Sequence, residues 1–395
     1  MKTRMLASLM LALILAAPGV VAQDEWPTRE WSTATPSEVG LDVEVLDALD
    51  ADIRNGEYAY VDSMLVIRHG KVAYERYYEH DYASIYGEES RTPGPLVVND
   101  PSGPYNYFNP WWHPYYQRSS LHSMQSVTKS VVSAVIGIAV GRGDFPALDT
   151  PVLSFFDADN VKNVDERKRG MTVWHLLTMS TGLDWNEDVP YADPTNTFAI
   201  MAVTPDWVQY TFDRPMAHPP GDVYQYNSGA TLILGHVFRL ATGVDLEEYA
   251  VEHLFEPLGI RDYFWKRTPF GLVDTQEGLY VSSRDIAKIA YLFLKGGNWE
   301  GREVVPADWV KASIEPSFSV TDDGRIEYGY KWWLYHYQYQ GEDLVAFAGA
   351  GFGGQRPIVL PELDLVLVFT GWNILGAPTS LSASTAIERV LEAVE

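Results

Sequence analysis

Gln125-Ser126-Val127-Thr128-Lys129-Ser130 runs into Val131-Val132-Ser133-Ala134-Val135-Ile136-Gly137-Ile138-Ala139-Val140, and the reading of this stretch decides the fold. Ser126 and Lys129 stand three residues apart, on one face of a helix whose sides are apolar almost all round. Such a helix belongs at the centre of a core, so a buried helix is predicted from Ser126 until Gly141 and Gly143 stop it. A serine hydroxyl is a poor nucleophile until a base takes its proton, and an amine at i+3 is near enough to do so. The amine acts as a base only when neutral, a form that burial and the positive end of the helix dipole both favour. The pattern also arises by chance, with both residues merely packed, so the rest of the chain has to support it.

With 46% hydrophobic and 13% aromatic residues among 395, the chain has the composition of a globular protein with a large core. Lys2 and Arg4, the apolar run Leu6 to Ala17 and then Val20-Val21-Ala22 have the three parts of a secretory signal peptide. The sequence therefore predicts cleavage after Ala22 and a periplasmic or secreted location. That run is too short to cross a bilayer comfortably, and no later stretch approaches twenty uninterrupted apolar residues, so no membrane span is expected. Removing Lys2 and Arg4 takes the formal charge from −24 to −26, which disfavours nucleic acid and anionic membranes as partners. Cysteine is absent, so no disulfide, thiolate or lipid anchor on sulfur is available.

Val45, Leu46, Leu49 and Ile53 predict a first helix, and Ser63 to Arg68 and Lys71 to Tyr78 flank His69-Gly70 as a hairpin. Residues 81–117 lose periodicity and fill with Pro, Gly, Asn, Tyr and Trp. From there to about 300 the signals are mostly helical: Val173 to Thr178, Pro205 to Phe212, Ala230 to Thr242, Leu246 to Leu254 and Ser283 to Lys295. Tyr328 to Tyr337, Leu344 to Phe347, Gln355 to Leu360 and Leu365 to Thr370 read as antiparallel strands, and Ser382 to Val394 as a closing helix. The fold class predicted is α/β (α+β), an antiparallel sheet flanked by helices with an inserted, mostly helical domain. Residues 23–395 are then one catalytic unit, with its sheet from about 36–80 and 300–395, an insertion at 81–117 and a helical part at about 118–300.

Two further stretches carry chemistry. Pro220-Gly221-Asp222-Val223-Tyr224-Gln225-Tyr226-Asn227-Ser228-Gly229 precedes an apolar helix. Tyr226 there can pass a proton between Ser126 and a leaving group, and Ser228 can hydrogen-bond Lys129 or substrate. The plainer alternative is a packed aromatic beside an ordinary helix cap at Asn227 or Ser228. Gly349-Ala350-Gly351-Phe352-Gly353-Gly354-Gln355 enters a strand, where glycines let the backbone approach a ligand. The N–H of Phe352, paired with that of Ser126, is the candidate oxyanion hole, with Gly351 and Gln355 in support. A hairpin turn would use the same residues.

In this order, Ser126-x-x-Lys129, Tyr226-x-Ser228 and a Gly-rich edge strand resemble the serine β-lactamase and penicillin-binding superfamily. Within it the chain is similar to the class C β-lactamase-related branch that includes esterases and 6-aminohexanoate-dimer hydrolases. That likeness rests on Trp174-His175-Leu176-Leu177-Thr178-Met179-Ser180-Thr181-Gly182-Leu183, Leu254-Phe255-Glu256-Pro257-Leu258-Gly259-Ile260 and Gly353-Gly354-Gln355. The resemblance implies a Ser126 acyl-enzyme, activated by Lys129 and Tyr226, on a sheet domain with a helical domain beside it and the site between them. It implies no cofactor and a small-molecule ester, amide or peptide as substrate. Two departures stand out: Tyr226-Asn227-Ser228 replaces the Tyr-x-Asn of many relatives, and Gly349-Ala350-Gly351 lacks the Lys or His that opens the third motif. A β-lactamase uses that cation to hold the antibiotic's carboxylate, which argues against efficient β-lactam hydrolysis here unless Arg356 turns inward to replace it.

A β-lactamase or D-amino-acid peptidase remains an alternative, as does a penicillin-binding-like sensor domain that never turns over. No Gly-x-Ser-x-Gly elbow and no His-Glu-x-x-His zinc site occurs, and no metal is called for. His175 sits inside a helical pattern as a packing residue. Trp111, Trp112, Tyr115 and Tyr116 form either a surface flap or a wall of the cleft above Ser126.

Overall fold

The computed structural model describes residues 26–92, 94, 96–97, 106–108, 120–376 and 379–395. The predicted signal peptide and the Trp111 to Tyr116 cluster lie outside the described residues. An eight-stranded antiparallel sheet draws its strands from both ends of the chain: β1 (Val61–Arg68) and β2 (Lys71–Tyr77) from the first part. From the second come β6 (Phe318–Ser319), β7 (Ile326–Tyr328), β8 (Trp333–Tyr339), β9 (Glu342–Ala348), β10 (Arg356–Leu360) and β11 (Leu365–Gly371). Their order is β2-β1-β11-β10-β9-β8-β7-β6. His69 and Gly70 both have positive φ, 53° and 72°, as a two-residue turn between twisted strands requires.

Strand β11 explains why its sequence is a near-continuous apolar run: it is buried on both faces. Leu365, Leu367 and Phe369 pack with α1 (Val43–Arg54) and the closing helix α5 (Ala383–Leu391) through Leu46, Leu49, Ile387 and Val390. Val366 and Val368 face the opposite way, into the larger core that holds α2 (Thr128–Arg142), α3 (Ser228–Thr242) and α4 (Ser283–Leu294). The period of two thus divides one strand between two cores. No helix among the described residues is long and apolar enough to cross a membrane.

Several expectations change in detail. Tyr328 to Tyr337 is not one strand: the chain turns back after β7, so that Trp333 of β8 pairs with Tyr328. Lys331 takes φ 67° in that turn, a conformation more usual for glycine. Helix α2 begins at Thr128, with Ser126 in a 3-10 turn before it, and Gly143 at φ 76° is the residue that ends it. Gly141 lies inside the helix, where glycine serves close packing instead of a stop: a Cβ there would stand 2.3 Å from Cγ of Pro306. The helix from Leu246 stops at Ala250 and continues as a π turn, Val251–Phe255. A helix at Thr197–Ala202 and a second sheet, β3 (His122–Ser123), β4 (Phe264–Trp265) and β5 (Leu279–Val281), interrupt the helical middle.

Candidate active site

The small sheet, ordered β3-β5-β4, delivers the segment that carries Ser126. Met124 N–H donates to Leu279 O at 2.8 Å, and Leu279 N–H donates to Thr128 Oγ1 at 3.2 Å, so β5 grips the turn on either side of the serine. His122 Nε2 meets Asp62 Oδ2 at 2.9 Å, tying β3 to β1 of the large sheet. Gln125 has φ 48°, so the residue before Ser126 is in the left-handed region that a non-glycine residue enters at a cost. Its side-chain amide donates to Ser123 Oγ at 2.9 Å and helps hold that turn.

Lys129 Nζ donates to Ser126 Oγ at 2.8 Å and to the carbonyl of Gln276 at 2.9 Å. Lys129 is buried, whereas Ser126 is partly open to solvent, so the hydroxyl is the accessible end of the pair. Gln276 belongs to a tight loop in which Asp274 Oδ1 accepts from the N–H groups of Gln276 and Glu277 at 3.2 and 3.3 Å. Behind it Lys266 Nζ stands 3.5 Å from Glu277 Oε1, which also accepts from Tyr107 OH. Burial first, and then the charge of Glu277, hold the Asp274 carboxyl above the usual carboxylate range.

Tyr226 comes from the run into α3, and its ring centroid lies 5.2 Å from Lys129 Nζ. Its ring stacks on Trp333 at 5.9 Å between centroids. Asn227 is the cap of α3, with Oδ1 accepting from Ala230 N–H at 3.0 Å. Ser228 points to Glu187 instead of to Lys129: its hydroxyl donates to Oε1 at 2.6 Å and its N–H to Oε2 at 2.8 Å. Burial raises the Glu187 carboxyl from its ordinary value, opposed first by Lys129 and then by the Ser228 donors. A second buried lysine, Lys331, donates to Leu176 O at 2.5 Å; burial, then the charge of Lys129, push this amine well below the ordinary lysine range. The sequence did not single out Glu187, Gln276 or Lys331. Gln276 acts through its backbone, and Lys331 lies in a turn hidden within an aromatic run.

The glycine-rich edge closes the other side. A Cβ on Gly349 would lie 3.2 Å from Val127, and one on Gly351 would lie 2.5 Å from the Met124 carbonyl oxygen, so this edge runs directly against the turn that holds Ser126. The N–H of Phe352 has no hydrogen-bond acceptor among the described residues. Gln355 faces inward and clamps the turn: Nε2 donates to Gly371 O at 2.7 Å and to Phe352 O at 3.0 Å. Arg356 pairs in register with Phe369, and its Nη1 donates to the carbonyls of Gly351 and Gln355 at 2.7 and 2.8 Å. Its guanidinium thus supports the edge main chain. His175 Nδ1 accepts from Thr172 N–H at 2.9 Å, a capping role that agrees with its reading as a structural residue. Beyond Phe352 lies a cavity of about 940 Å³ whose walls include Val97, Phe108 and Tyr191, with Glu88 and Asp188 also lining it.

Gly351→Ala is expected to push the Phe352 edge away from Ser126, because the atom its Cβ would strike is a backbone oxygen. A misplacement of this kind costs about 10- to 100-fold in kcat, with little change in KM. Steady-state kinetics on an ester, with the melting temperature recorded alongside, measure it; a kcat within twofold of wild type would remove Phe352 from the reaction centre.

Comparison with known proteins agrees with this architecture. The Beta-lactamase family model matches residues 53–371. The 6-aminohexanoate-dimer hydrolase of Paenarthrobacter ureafaciens is 24% identical over 297 residues, 68% of this chain and 73% of that protein. Esterase EstB of Burkholderia gladioli is 28% identical over 157 residues, 37% of this chain and 38% of the esterase. The octameric penicillin-binding protein homologue from Pyrococcus abyssi superposes with a TM-score of 0.60 at 20% identity, over 89% of this chain and 76% of the other.

Proposed function

Because this chain belongs to the beta-lactamase family of serine hydrolases, we propose that it cleaves an ester or a linear amide through an acyl-enzyme on Ser126. The observation that carries this reading is the 2.8 Å bond between a buried Lys129 Nζ and an accessible Ser126 Oγ. As Ser126 Oγ attacks the carbonyl carbon its proton passes to Lys129. The carbonyl electron pair moves onto oxygen, which accepts hydrogen bonds from the N–H groups of Ser126 and Phe352. Tyr226, beside Lys129, hands the proton to the departing alcohol or amine, and water then releases the acyl group. The apolar cavity beyond Phe352 suits a substrate with a hydrocarbon portion. The names of the relatives, a dimer hydrolase and an esterase, support the same two bond types.

β-Lactams fit less well. No side chain on Gly349-Ala350-Gly351 can hold a carboxylate, and Arg356 already donates to two main-chain carbonyls. A panel of p-nitrophenyl esters, a linear 6-aminohexanoate amide dimer and nitrocefin tests the reading. The ester or the amide is expected to exceed nitrocefin in kcat/KM by about 100-fold or more, the scale of one charge-assisted hydrogen bond in a buried site. Nitrocefin as the best of the three would overturn it.

A further inference from the structure

Glu187 sits where a helix-capping residue and an electrostatic partner of the reaction would both sit. Its two oxygens accept three hydrogen bonds, from Ser228 Oγ at 2.6 Å, Ser228 N–H at 2.8 Å and Trp185 Nε1 at 2.8 Å. Three donors on one carboxyl group, with no proton of its own needed, is the arrangement that an ionised carboxylate takes. The group is therefore held as an acceptor, with its orientation fixed from two directions. Ser228 follows Tyr226 by two residues, so the carboxylate is anchored to the segment that carries the tyrosine.

Charged and titratable neighbours of Glu187 come from several elements, and Asp188 follows it in the chain and acts with it on Tyr224. Lys129 from α2 is the group whose positive charge, when it carries the proton, acts on it most strongly. Lys331, from the turn between β7 and β8, feels it as well. The phenols of Tyr191, Tyr224 and Tyr328 all experience its negative charge. Two lysines and one carboxylate thus share a poorly hydrated site, in which charges interact far more strongly than in water. The reaction makes Lys129 a full ammonium in this setting at the moment that Ser126 bonds to carbon.

We propose that Glu187 is the counter-charge of the base, a positioning residue that acts through Lys129 by stabilising the ammonium formed when Lys129 takes the Ser126 proton. The inference rests on the acyl-enzyme reading and deepens it. During attack the Ser126 Oγ–carbon bond forms, the carbonyl electron pair moves to oxygen and the proton moves to Nζ. Negative charge on the substrate oxygen and positive charge on Nζ appear together. The backbone N–H groups stabilise the first, and Glu187 stabilises the second while keeping its own charge. When the intermediate collapses, the proton leaves for the departing group and Lys129 returns to the neutral state.

Glu187→Gln tests this, since glutamine keeps the shape and can still accept from Ser228 N–H while losing the charge. The expected result is a fall of about 10- to 100-fold in the acylation rate on a p-nitrophenyl ester, with KM within about twofold. The acid limb of the kcat/KM profile moves to lower pH. Burial already raises the Glu187 carboxyl from its ordinary value, so the wild-type rate falls on the acid side as that carboxyl takes its proton, and the glutamine variant lacks this titration. Glu187→Asp, which retains the charge, is expected to keep the wild-type shape of the profile at a reduced rate. If Glu187 only caps α3, both variants lower the melting temperature while the Gln variant keeps the wild-type acylation rate and pH profile, and the proposal is overturned. Ser126→Ala run in parallel separates the two ideas: an active Ser126→Ala protein sinks the acyl-enzyme reading itself. An inactive one beside an unperturbed Glu187→Gln enzyme sinks only the role of Glu187.

Discussion

Ser126→Ala is expected to lower hydrolysis on the order of 10⁴- to 10⁶-fold, leaving only the residual rate that binding and the oxyanion donors supply, while the fold persists. The size follows from what is removed: no other hydroxyl among the described residues accepts a hydrogen bond from Lys129 Nζ, so no substitute nucleophile is held ready. The stability cost is small for a physical reason. Lys129 Nζ keeps its second bond to the Gln276 carbonyl, and a single side-chain hydrogen bond is worth about 1 kcal/mol net. Activity should therefore vanish with a melting temperature nearly unchanged. Trapping of a covalent acyl adduct supplies the positive control: the wild-type protein gains the mass of one acyl group from a slow ester, and Ser126→Ala does not. Wild-type turnover by the alanine protein, or an adduct on another residue, contradicts the scheme.

The parts of the site that were legible in the sequence are those whose chemistry is local. Ser126 and Lys129 are one helical turn apart, so their spacing alone brings them together, and the 2.8 Å contact follows. The apolar run of α2 and the strand β11 declared their burial through composition, because an element covered on every side needs no polar residues. The groups that were missed act over long separations or through the main chain. Gln276 reaches Lys129 with a carbonyl, and every residue type has one. Glu187 lies 41 residues before Ser228, in a loop where an acidic residue ordinarily faces water, and only folding shows that the two meet.

Other errors have equally definite causes. The run Tyr328 to Tyr337 alternates well enough to pass for one strand, since aromatic residues favour strands and the turn inside it is marked by Gly329 alone. Lys331 stands at φ 67°, where a turn-forming residue would have announced the reversal. Ser228 departs from expectation in a different way. Of the two partners expected for its hydroxyl, Lys129 or substrate, it does not meet the first and donates to the Glu187 carboxylate, which had not been recognised as part of the site. The third motif shows the converse: without a basic side chain it still forms the cleft edge, because close approach to Met124 depends on what Gly351 lacks.

Removal of the amine is the second decisive test. Lys129→Ala is expected to lower kcat/KM by about 10³- to 10⁴-fold, the upper range for loss of one general base. The pH profile changes in kind as well as in height. With no internal base, deprotonation of Ser126 falls to hydroxide, so the residual rate should rise about tenfold per pH unit with no plateau near neutrality. The substitution also leaves space where the lysine stem lay and strands the Gln276 carbonyl, a loss of about 1 to 3 kcal/mol. A lower melting temperature is therefore expected and does not by itself explain the lost rate. Small primary amines distinguish the causes. Methylamine or ethylamine can enter the space vacated by the side chain and is expected to restore part of the activity in proportion to its neutral fraction. Lys129→Arg fills the same site with a cation that never gives up its proton, and it should stay inactive with or without added amine. If Arg restored turnover, the requirement would be for positive charge near Ser126 rather than for a base. The 2.8 Å contact would then be a structural hydrogen bond, and the proton of Ser126 would have to leave by way of Tyr226.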